Sequence, residues 1–181
     1  MTRIIRPLLA TDRKDVLRIL DNAGNFTVDE VTTARELIDE WLEQGEPSGY
    51  LTYVLEEDGL GVLGYVCFGP TPLTEWTYDL YWIVVDKSKH RGGVGKRLLK
   101  FVEEEMDRRG GRLLLIETSS QETYGGTIQF YERTGYALVG KVADYYKAGD
   151  DKLIFAKRLQ PAMIALEEPG EIVSAEATGA A

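Results

Sequence analysis

The fold class of this chain is decided by one stretch, WTYDLYWIVVDKSKHRGGVGKRLL, residues 76–99. It begins with strand character from Trp76 to Val85, passes through a loop with three glycines and enters a helical pattern at Val94. A strand, a glycine-rich turn and a helix in this order present backbone N–H groups and the positive end of a helix dipole at one point. The stretch therefore predicts an α/β domain with a candidate site for phosphate oxygens.

Two nucleotide-binding patterns fail on these residues. A Walker loop requires Gly where His90 stands and Ser or Thr where Arg97 stands. A dinucleotide fingerprint requires a third glycine at Leu98. What remains is a phosphate site of another kind or a plain strand-to-helix turn.

Periodicity on both sides of this stretch predicts the other elements. Upstream we predict a strand at 3–8, a helix capped by Thr11 and ended by Gly24, a helix opened by the capping-box pair Thr27 and Glu30, and a hairpin over 50–68. Downstream we predict a helix from 94 to about 109, a strand at 113–118, a helix at 126–133 and strands at 137–142 and 152–159. The order β-α-α-β-β-β-α-β-α-β-β mixes hairpins with crossovers, which predicts a mixed sheet with helices on both faces.

Composition excludes several classes of protein. One cysteine, Cys67, and one histidine permit neither a disulfide framework nor a Cys/His zinc cluster, so we expect no metal and a cytoplasmic protein. Cys67 lies in an uncharged strand, which favours a buried apolar role over a nucleophile. The N-terminus lacks the apolar run of a signal peptide, and the longest uncharged stretch, 59–74, is too short for a membrane span.

Charge is distributed unevenly around a net value of −9. Residues 1–60 contain 6 Lys/Arg and 13 Asp/Glu, residues 61–159 contain 15 and 13, and residues 160–181 contain 0 and 4. The acidity argues against a nucleic-acid partner, while the basic centre suits one polyphosphate. We expect one domain over 1–159 and a flexible acidic tail over 160–181, whose apolar Met163, Ile164 and Leu166 leave docking open.

Two segments carry a resemblance to a known family. The loop His90-Arg91-Gly92-Gly93-Val94-Gly95 resembles the Gln/Arg-x-x-Gly-x-Gly/Ala signature of the GNAT superfamily of N-acetyltransferases, with His90 departing from the first position. Phe130-Tyr131-Glu132-Arg133-Thr134-Gly135-Tyr136 looks like the family's later helix-to-strand run. Tyr124 and Thr127 stand where the family often has Asn and Ala. The resemblance covers roughly residues 3–159 and implies a mostly antiparallel, splayed sheet.

The resemblance implies a site for acetyl-CoA. The residues implied to bind it are Ile83, Val84, Val85, Arg91, Gly92, Gly93, Val94, Gly95 and Lys96. Within this set, the N–H of Ile83 would polarise the thioester carbonyl, and Val85 would pair with the pantetheine arm. A cluster of cationic side chains surrounds the loop and suits the phosphates of the coenzyme. Its members are Lys87, Lys89, Arg91, Lys96 and Arg97.

Transfer to an amine needs a base and an acid. An alkylamine with a pKa near ~10 must lose a proton, and Asp79, Glu117 or a water molecule are the alternatives for removing it. Tyr131 matches the general acid that the family uses to protonate the departing thiolate. Each residue also has a structural interpretation: Asp79 could orient a neighbour, Glu117 could bond within the strand end, and Tyr131 could be a core tyrosine.

The expected reaction is acetylation of a primary amine, on a small molecule or a peptide, by direct attack in a ternary complex. Aromatic rings and carboxylates suit a cationic acceptor, and the candidate residues are Tyr78, Trp82, Tyr124, Tyr145 and Tyr146 with the loop acids Asp144, Asp150 and Asp151. Solvated surface charge is the simpler interpretation of those acids. A non-catalytic acyl-CoA-binding or sensing domain is the leading alternative, a ligand-free interaction protein is a third, and a homodimer stays open.

Overall fold

Seven strands form one sheet in a computed structural model, which describes residues 2–89 and 92–159. The strands are β1 Arg3–Pro7, β2 Leu51–Glu57, β3 Gly61–Pro70, β4 Thr77–Val85, β5 Leu113–Ser119, β6 Ala137–Lys147 and β7 Asp150–Arg158. The helices are α1 Arg13–Ala23, α2 Val28–Gln44, α3 Val94–Arg108 and α4 Gly125–Arg133. The spatial order is β1-β2-β3-β4-β5-β7-β6, and every described pair is antiparallel except β4 with β5. The predicted element order and mixed, mostly antiparallel sheet are confirmed.

The first helix begins differently from the prediction. Thr11 does not cap α1, because a turn of 3-10 helix, Ala10–Asp12, precedes it and α1 starts at Arg13. The carboxylate of Asp12 instead accepts hydrogen bonds from the Leu9 N–H and the Arg6 guanidinium. The end of α1 at Gly24, with φ +68°, is as predicted.

The capping box of α2 forms as predicted. The Thr27 hydroxyl accepts the Glu30 N–H at 3.2 Å, and the Glu30 carboxylate accepts the Thr27 N–H at 2.7 Å. The two bonds satisfy amide groups that the first helical turn leaves without intrahelical partners.

Helices cover both faces of the sheet and create two cores. On one side, here called the α3/α4 face, Leu98 and Val102 of α3 pack with Phe68, Leu114 and Phe155. On the other, the α1/α2 face, helix residues pack on a second set of strand side chains, which includes Tyr65 and Cys67. Cys67 is 1% exposed, and burial raises the pKa of its thiol to about 12. These values fit the apolar role predicted for it.

The central feature of the sheet is that β4 and β5 diverge. They pair only from Thr77–Leu80 with Leu113–Ile116, after which β5 continues against β7. A β-bulge lies next to the divergence, because Trp82 opposes Cys67 while Leu80 opposes Phe68, which leaves Tyr81 without an opposite residue. Tyr81 and Trp82 therefore both pack on the α1/α2 face, whereas Ile83 and Val85 pack on the α3/α4 face.

The β6–β7 region corrects the predicted strand ends. The predicted loop between 142 and 152 is strand up to Lys147 and again from Asp150. Two carboxylates make bonds within the hairpin: Asp144, at φ +52°, accepts the Gly149 N–H, and Asp151 accepts the Asp144 N–H. Asp150 accepts from Ser119 and Gln121 and so ties β7 to the end of β5. The three candidate acids of the acceptor site thus make hydrogen bonds within the protein.

The predicted tail, residues 160–181, and the loop residues His90 and Arg91 lie outside the described residues. Among the residues described, no helix is both long and apolar enough to cross a bilayer.

The contact of Asp12 with Arg6 makes a stability prediction. The Arg6 hydrogen bonds lower the pKa of Asp12, whose side chain is 8% exposed. Asp12→Asn should therefore lower the free energy of unfolding by about 2 kcal/mol at pH 7, as expected for a hydrogen bond to a charged group. The stabilisation is present above the unfolded carboxyl pKa of roughly 3.9 and is lost as pH falls through the lower folded-state pKa.

Urea unfolding of both proteins from pH 7 to pH 3 measures this difference, which should shrink with falling pH. Asp39→Asn is the matched control, since the Arg13–Asp39 pair is about 40% exposed on each side and should contribute less. Equal effects of the two substitutions at pH 7 would contradict the prediction.

Candidate functional site

A groove of about 490 Å³ lies on the α3/α4 face, beside the end of β4. Its walls come from β4, from the start of α3 and from α4. The lining residues are Ile83, Val85, Gly93, Val94, Gly95, Lys96, Gly126, Thr127, Phe130, Tyr131, Arg133 and Thr134. Most residues predicted to bind a coenzyme are thus brought together in one groove.

Three of the predicted cofactor residues are not among those lining the groove. The side chain of Val84 packs into the core of the α1/α2 face, because neighbouring strand residues point to opposite faces. Gly92 lies next to the lining residue Gly93, and Arg91 is outside the described residues.

Backbone N–H groups of β4 point into the divergence. The Asp86 N–H donates to the Leu63 carbonyl at 2.8 Å, so alternate N–H groups of this strand face β3. By the same alternation the N–H groups of Ile83 and Val85 face away from β3, toward the side where β5 no longer pairs. This edge offers hydrogen-bond donors to a ligand that lies along it.

The start of α3 supplies more donors. Gly93 caps the helix at φ +69°, and the first hydrogen bond along it runs from the Arg97 N–H to the Gly93 carbonyl at 2.9 Å. The N–H groups of Val94, Gly95 and Lys96 therefore have no intrahelical acceptor, and all three residues line the groove. Together with the helix dipole they favour an anionic group there.

Arg3 of β1 anchors the glycine loop by a hydrogen bond to its backbone. The Arg3 guanidinium donates to the Gly92 carbonyl at 2.7 Å and forms an ion pair with Glu57 at 2.5 Å. Arg97 donates to the Arg3 carbonyl at 2.9 Å, away from the groove, and the Lys87 ammonium lies beside Gly24 at the end of α1. Of the predicted cationic cluster, Lys96 lines the groove. Arg3 was missed because 89 residues separate it from Gly92.

Tyr131 lies at the inner wall of the groove. It is 5% exposed and packs against the rings of Phe130, Tyr136 and Phe155. Burial raises the pKa of its hydroxyl well above the ordinary value, so the hydroxyl stays protonated. The residue is part of the core and of the groove at once.

A second pocket, of about 330 Å³, lies on the opposite face where β4 and β5 begin to diverge. Its lining residues are Thr33, Leu37, Asp79, Leu80, Tyr81, Trp82, Leu115 and Glu117. Both predicted bases therefore face one pocket. The sequence analysis did not predict Thr33, Leu37 and Tyr81 as pocket residues. The spacing of apolar residues in α2 does not show which face of the sheet the helix covers, and the bulge in β4 cannot be read from the sequence.

The two carboxylates differ in their surroundings. Asp79 is half-buried and accepts a hydrogen bond from the Thr71 hydroxyl at 2.7 Å. Burial raises its pKa, with a further increase from the negative charge of Glu117 and an opposing effect of Thr71. Glu117 is half-exposed and forms an ion pair with Lys152 at 2.7 Å. The charge of Glu117 is thus compensated, while Asp79 has no cationic partner among the described residues.

The predicted acceptor-site aromatics separate into groups. Trp82 lines the second pocket, whereas Tyr124, which is 8% exposed, is connected to Trp82 through the ring of Phe26. Tyr78 faces the α3/α4 core beside Gly111. Neighbouring residues of a strand point to opposite faces, and the next residue, Asp79, faces the second pocket. Tyr145 and Tyr146 are exposed on β6. Within residues 2–89 and 92–159 no group of three or more His, Cys, Asp or Glu is placed to hold a metal ion.

Comparison with known proteins gives two close matches. The sequence profile of the acetyltransferase (GNAT) domain matches residues 48–138. A solved structure of a GNAT-family protein from Desulfovibrio desulfuricans is 40% identical, with a TM-score of 0.83 over 87% of this chain and 99% of that one.

Two further relatives are more distant. S-(2-succino)cysteine N-acetyltransferase of Bacillus subtilis is 27% identical over 92 residues, 49% of this chain and 56% of that protein, so the match spans little more than half of this curated relative. YncA from Salmonella typhimurium, solved with its cofactor acetyl-CoA, shares the fold at 19% identity, with a TM-score of 0.70 over 88% of this chain and 95% of that one. From the profile match and the 40% identical structure, the chain belongs to the GNAT acetyltransferase family.

Proposed function

We propose that the protein is an N-acetyltransferase that moves the acetyl group of acetyl-CoA to a primary amine by direct attack in a ternary complex. The observation that carries the proposal is the divergence of β4 from β5, with a groove on one face and an acidic pocket on the other. Two substrates that enter from opposite faces can meet at such a gap. Residues 1–159 would form the acetyltransferase domain.

The groove fits acetyl-CoA. The pyrophosphate would accept hydrogen bonds from the N–H groups of Val94, Gly95 and Lys96 and pair with the Lys96 ammonium. The pantetheine arm would lie along Val85, and the N–H of Ile83 would donate to the thioester oxygen. A backbone donor that strengthens its bond as this oxygen becomes negative contributes about 3 kcal/mol by analogy with oxyanion holes. YncA, which shares the fold, binds acetyl-CoA in its structure.

Asp79 is the base that we propose. An acceptor ammonium in the second pocket would lie against Asp79, whose raised pKa makes it a stronger base than an exposed carboxylate. Glu117 suits this role less, because its carboxylate is already engaged in an ion pair with Lys152. The neutral amine then attacks the thioester carbon. The name of the Bacillus relative, an N-acetyltransferase of an amino-acid derivative, agrees with an amine acceptor.

Tyr131 is the acid that we propose. Collapse of the tetrahedral intermediate breaks the carbon–sulfur bond and leaves a thiolate, whose conjugate acid has a pKa near ~8.5. A tyrosine hydroxyl at the inner wall of the groove can donate the proton. A binding or sensing domain would need neither this donor nor an acidic pocket on the opposite face. Thiol release from acetyl-CoA, measured with a panel of amines, separates the two functions.

Gly93 tests the binding of the coenzyme. Gly93→Val should weaken acetyl-CoA binding about tenfold or more in calorimetry, since a branched residue disfavours φ +69° and its side chain would enter the groove. Gly110→Val is the matched control. Gly110 has φ +80° and free space for a Cβ, but lies at the far end of α3. Unweakened binding by the Gly93 variant would remove the loop from the coenzyme site.

Tyr131→Phe tests the acid. It should keep acetyl-CoA affinity and lower kcat by about 10²-fold, the usual contribution of a positioned proton donor. Tyr65→Phe is the matched control, because Tyr65 is also buried and its hydroxyl has no hydrogen-bond partner among residues 2–89 and 92–159. Its loss should leave kcat unchanged. An unchanged kcat in Tyr131→Phe would leave this residue a core tyrosine.

Substitution of two neighbours of Asp79 tests its role as the base. The measurement is the pH dependence of kcat at saturating acceptor. If Asp79 removes the proton, kcat falls as pH falls through its pKa. Thr71→Ala removes the bond that lowers this pKa, so the acid limb should move to higher pH. Glu117→Gln removes the charge that raises it, so the limb should move to lower pH. Shifts in the same direction, or an unchanged limb in Asp79→Asn, would exclude Asp79 as the base.

A further inference from the structure

We infer that the acceptor is a small primary amine rather than an amine of a polypeptide, and that Tyr124 is a specificity-determining residue. The inference rests on the proposed function and concerns the α1/α2 side of the same site. The inference depends on the side chains that cover the gap between β4 and β5 on the α1/α2 face.

Three aromatic rings cross the gap. Trp82 of β4 meets Phe26, in the α1–α2 connection, edge to face at a centroid distance of 5.1 Å. Phe26 lies 6.5 Å from the ring of Tyr124, which follows β5 in a turn of 3-10 helix. We call Trp82, Phe26 and Tyr124 the aromatic roof. It connects the two strands that have separated beneath it.

One carboxylate holds the roof in place. The Tyr124 hydroxyl donates to Glu30 Oε1 at 2.8 Å, while Glu30 Oε2 accepts the Thr27 N–H at 2.7 Å. The bond to Tyr124 joins segments that are 94 residues apart in the chain. It links the start of α2 to the 3-10 turn that follows β5.

The roof meets the second pocket at Trp82, while Phe26 and Tyr124 lie behind the residues that line it. Trp82 belongs to both, and Thr33 and Leu37 of the pocket follow Glu30 on the same side of α2 at helical spacing. On the β7 side, Lys152 pairs with the pocket residue Glu117 at 2.7 Å and lies 4.0 Å from the centroid of the Tyr145 ring, so both side chains lie beside this edge of the pocket. If the acceptor were a polypeptide, the rest of its chain would have to leave the pocket past α2 and the roof or past Lys152 on the β7 side.

The volume agrees with a small acceptor. The 330 Å³ of the pocket is roughly eleven times the ~30 Å³ that one water occupies in the liquid. Leu37 and Leu115 supply apolar walls, while the Leu80 side chain packs in the core of the α3/α4 face. Asp79 supplies a carboxylate without a cationic partner among the described residues. This chemistry suits one ammonium group on a short apolar chain.

Steady-state kinetics on the full chain test the inference. The small probes are butylamine, 2-phenylethylamine and 1,4-diaminobutane, and the large probes are an octapeptide with a free N-terminus and a blocked octapeptide with one lysine. Wild type should favour the best small amine over both peptides by about tenfold or more in kcat/KM. Phe26→Ala should open the roof and reduce this preference about tenfold.

Tyr124→Phe keeps the ring and removes only the bond to Glu30. It should raise the KM of the small amine about fivefold, with kcat and the KM of acetyl-CoA within about twofold, since the bond shapes the acceptor side. Tyr136→Phe is the matched control, because its hydroxyl donates to Glu103 at 2.9 Å in the α3/α4 core. Its acceptor KM should not change.

The possible results distinguish a failure of this inference from a failure of the proposed acetyltransferase function. Thiol release that is faster with peptides, an unaltered preference in Phe26→Ala, or equal acceptor KM values in the two tyrosine variants overturns the inference and leaves the acetyltransferase intact. Absence of thiol release with every amine overturns the proposed function, and the inference falls with it.

Discussion

The short parallel pairing of β4 with β5 is the constraint on which the rest of the structure depends. After four residue pairs the strands separate, and the sheet loses a ladder of backbone hydrogen bonds at its centre. A sheet interior rarely leaves such groups unpaired, because each unsatisfied buried donor destabilises the fold. A bound chain that runs beside Ile83 and Val85 would complete the ladder, so the gap links folding to ligand binding.

The two faces of the gap have different chemistry because different helices cover them. The start of α3 and the inner side of α4 give one face backbone donors, Lys96 and a buried tyrosine. On the other face, Leu37 of α2 and Leu115 of β5 give apolar walls beside two carboxylates. The bulge at Tyr81 allows this division, since it changes which strand residues point to each side. The Lys96 ammonium thus lies at the groove on one face, and the Asp79 carboxylate lies at the pocket on the other.

Local patterns predicted much of this structure. The capping box of Thr27, the end of α1 at Gly24 and the strand–loop–helix at 76–99 involve neighbours in the chain, so their spacing is informative. Contacts between distant segments left no such signal: Arg3 under Gly92, Phe26 on Trp82 and Tyr124 on Glu30 depend on the assembled sheet. The expectation for Tyr78 was wrong because the identity of a strand residue does not reveal its face. The hydrogen bonds of Asp144, Asp150 and Asp151 likewise depend on contacts that their spacing does not show.

The double role of Glu30 has a thermodynamic consequence. The same carboxylate stabilises the first turn of α2 and accepts the Tyr124 hydroxyl, so fraying of that turn would also break the bond to Tyr124. An acceptor that binds only while this bond is intact would favour the intact helix end, and by reciprocity an intact helix end would increase acceptor affinity. Under the proposed function, helix capping would thus contribute to substrate recognition as well as to stability.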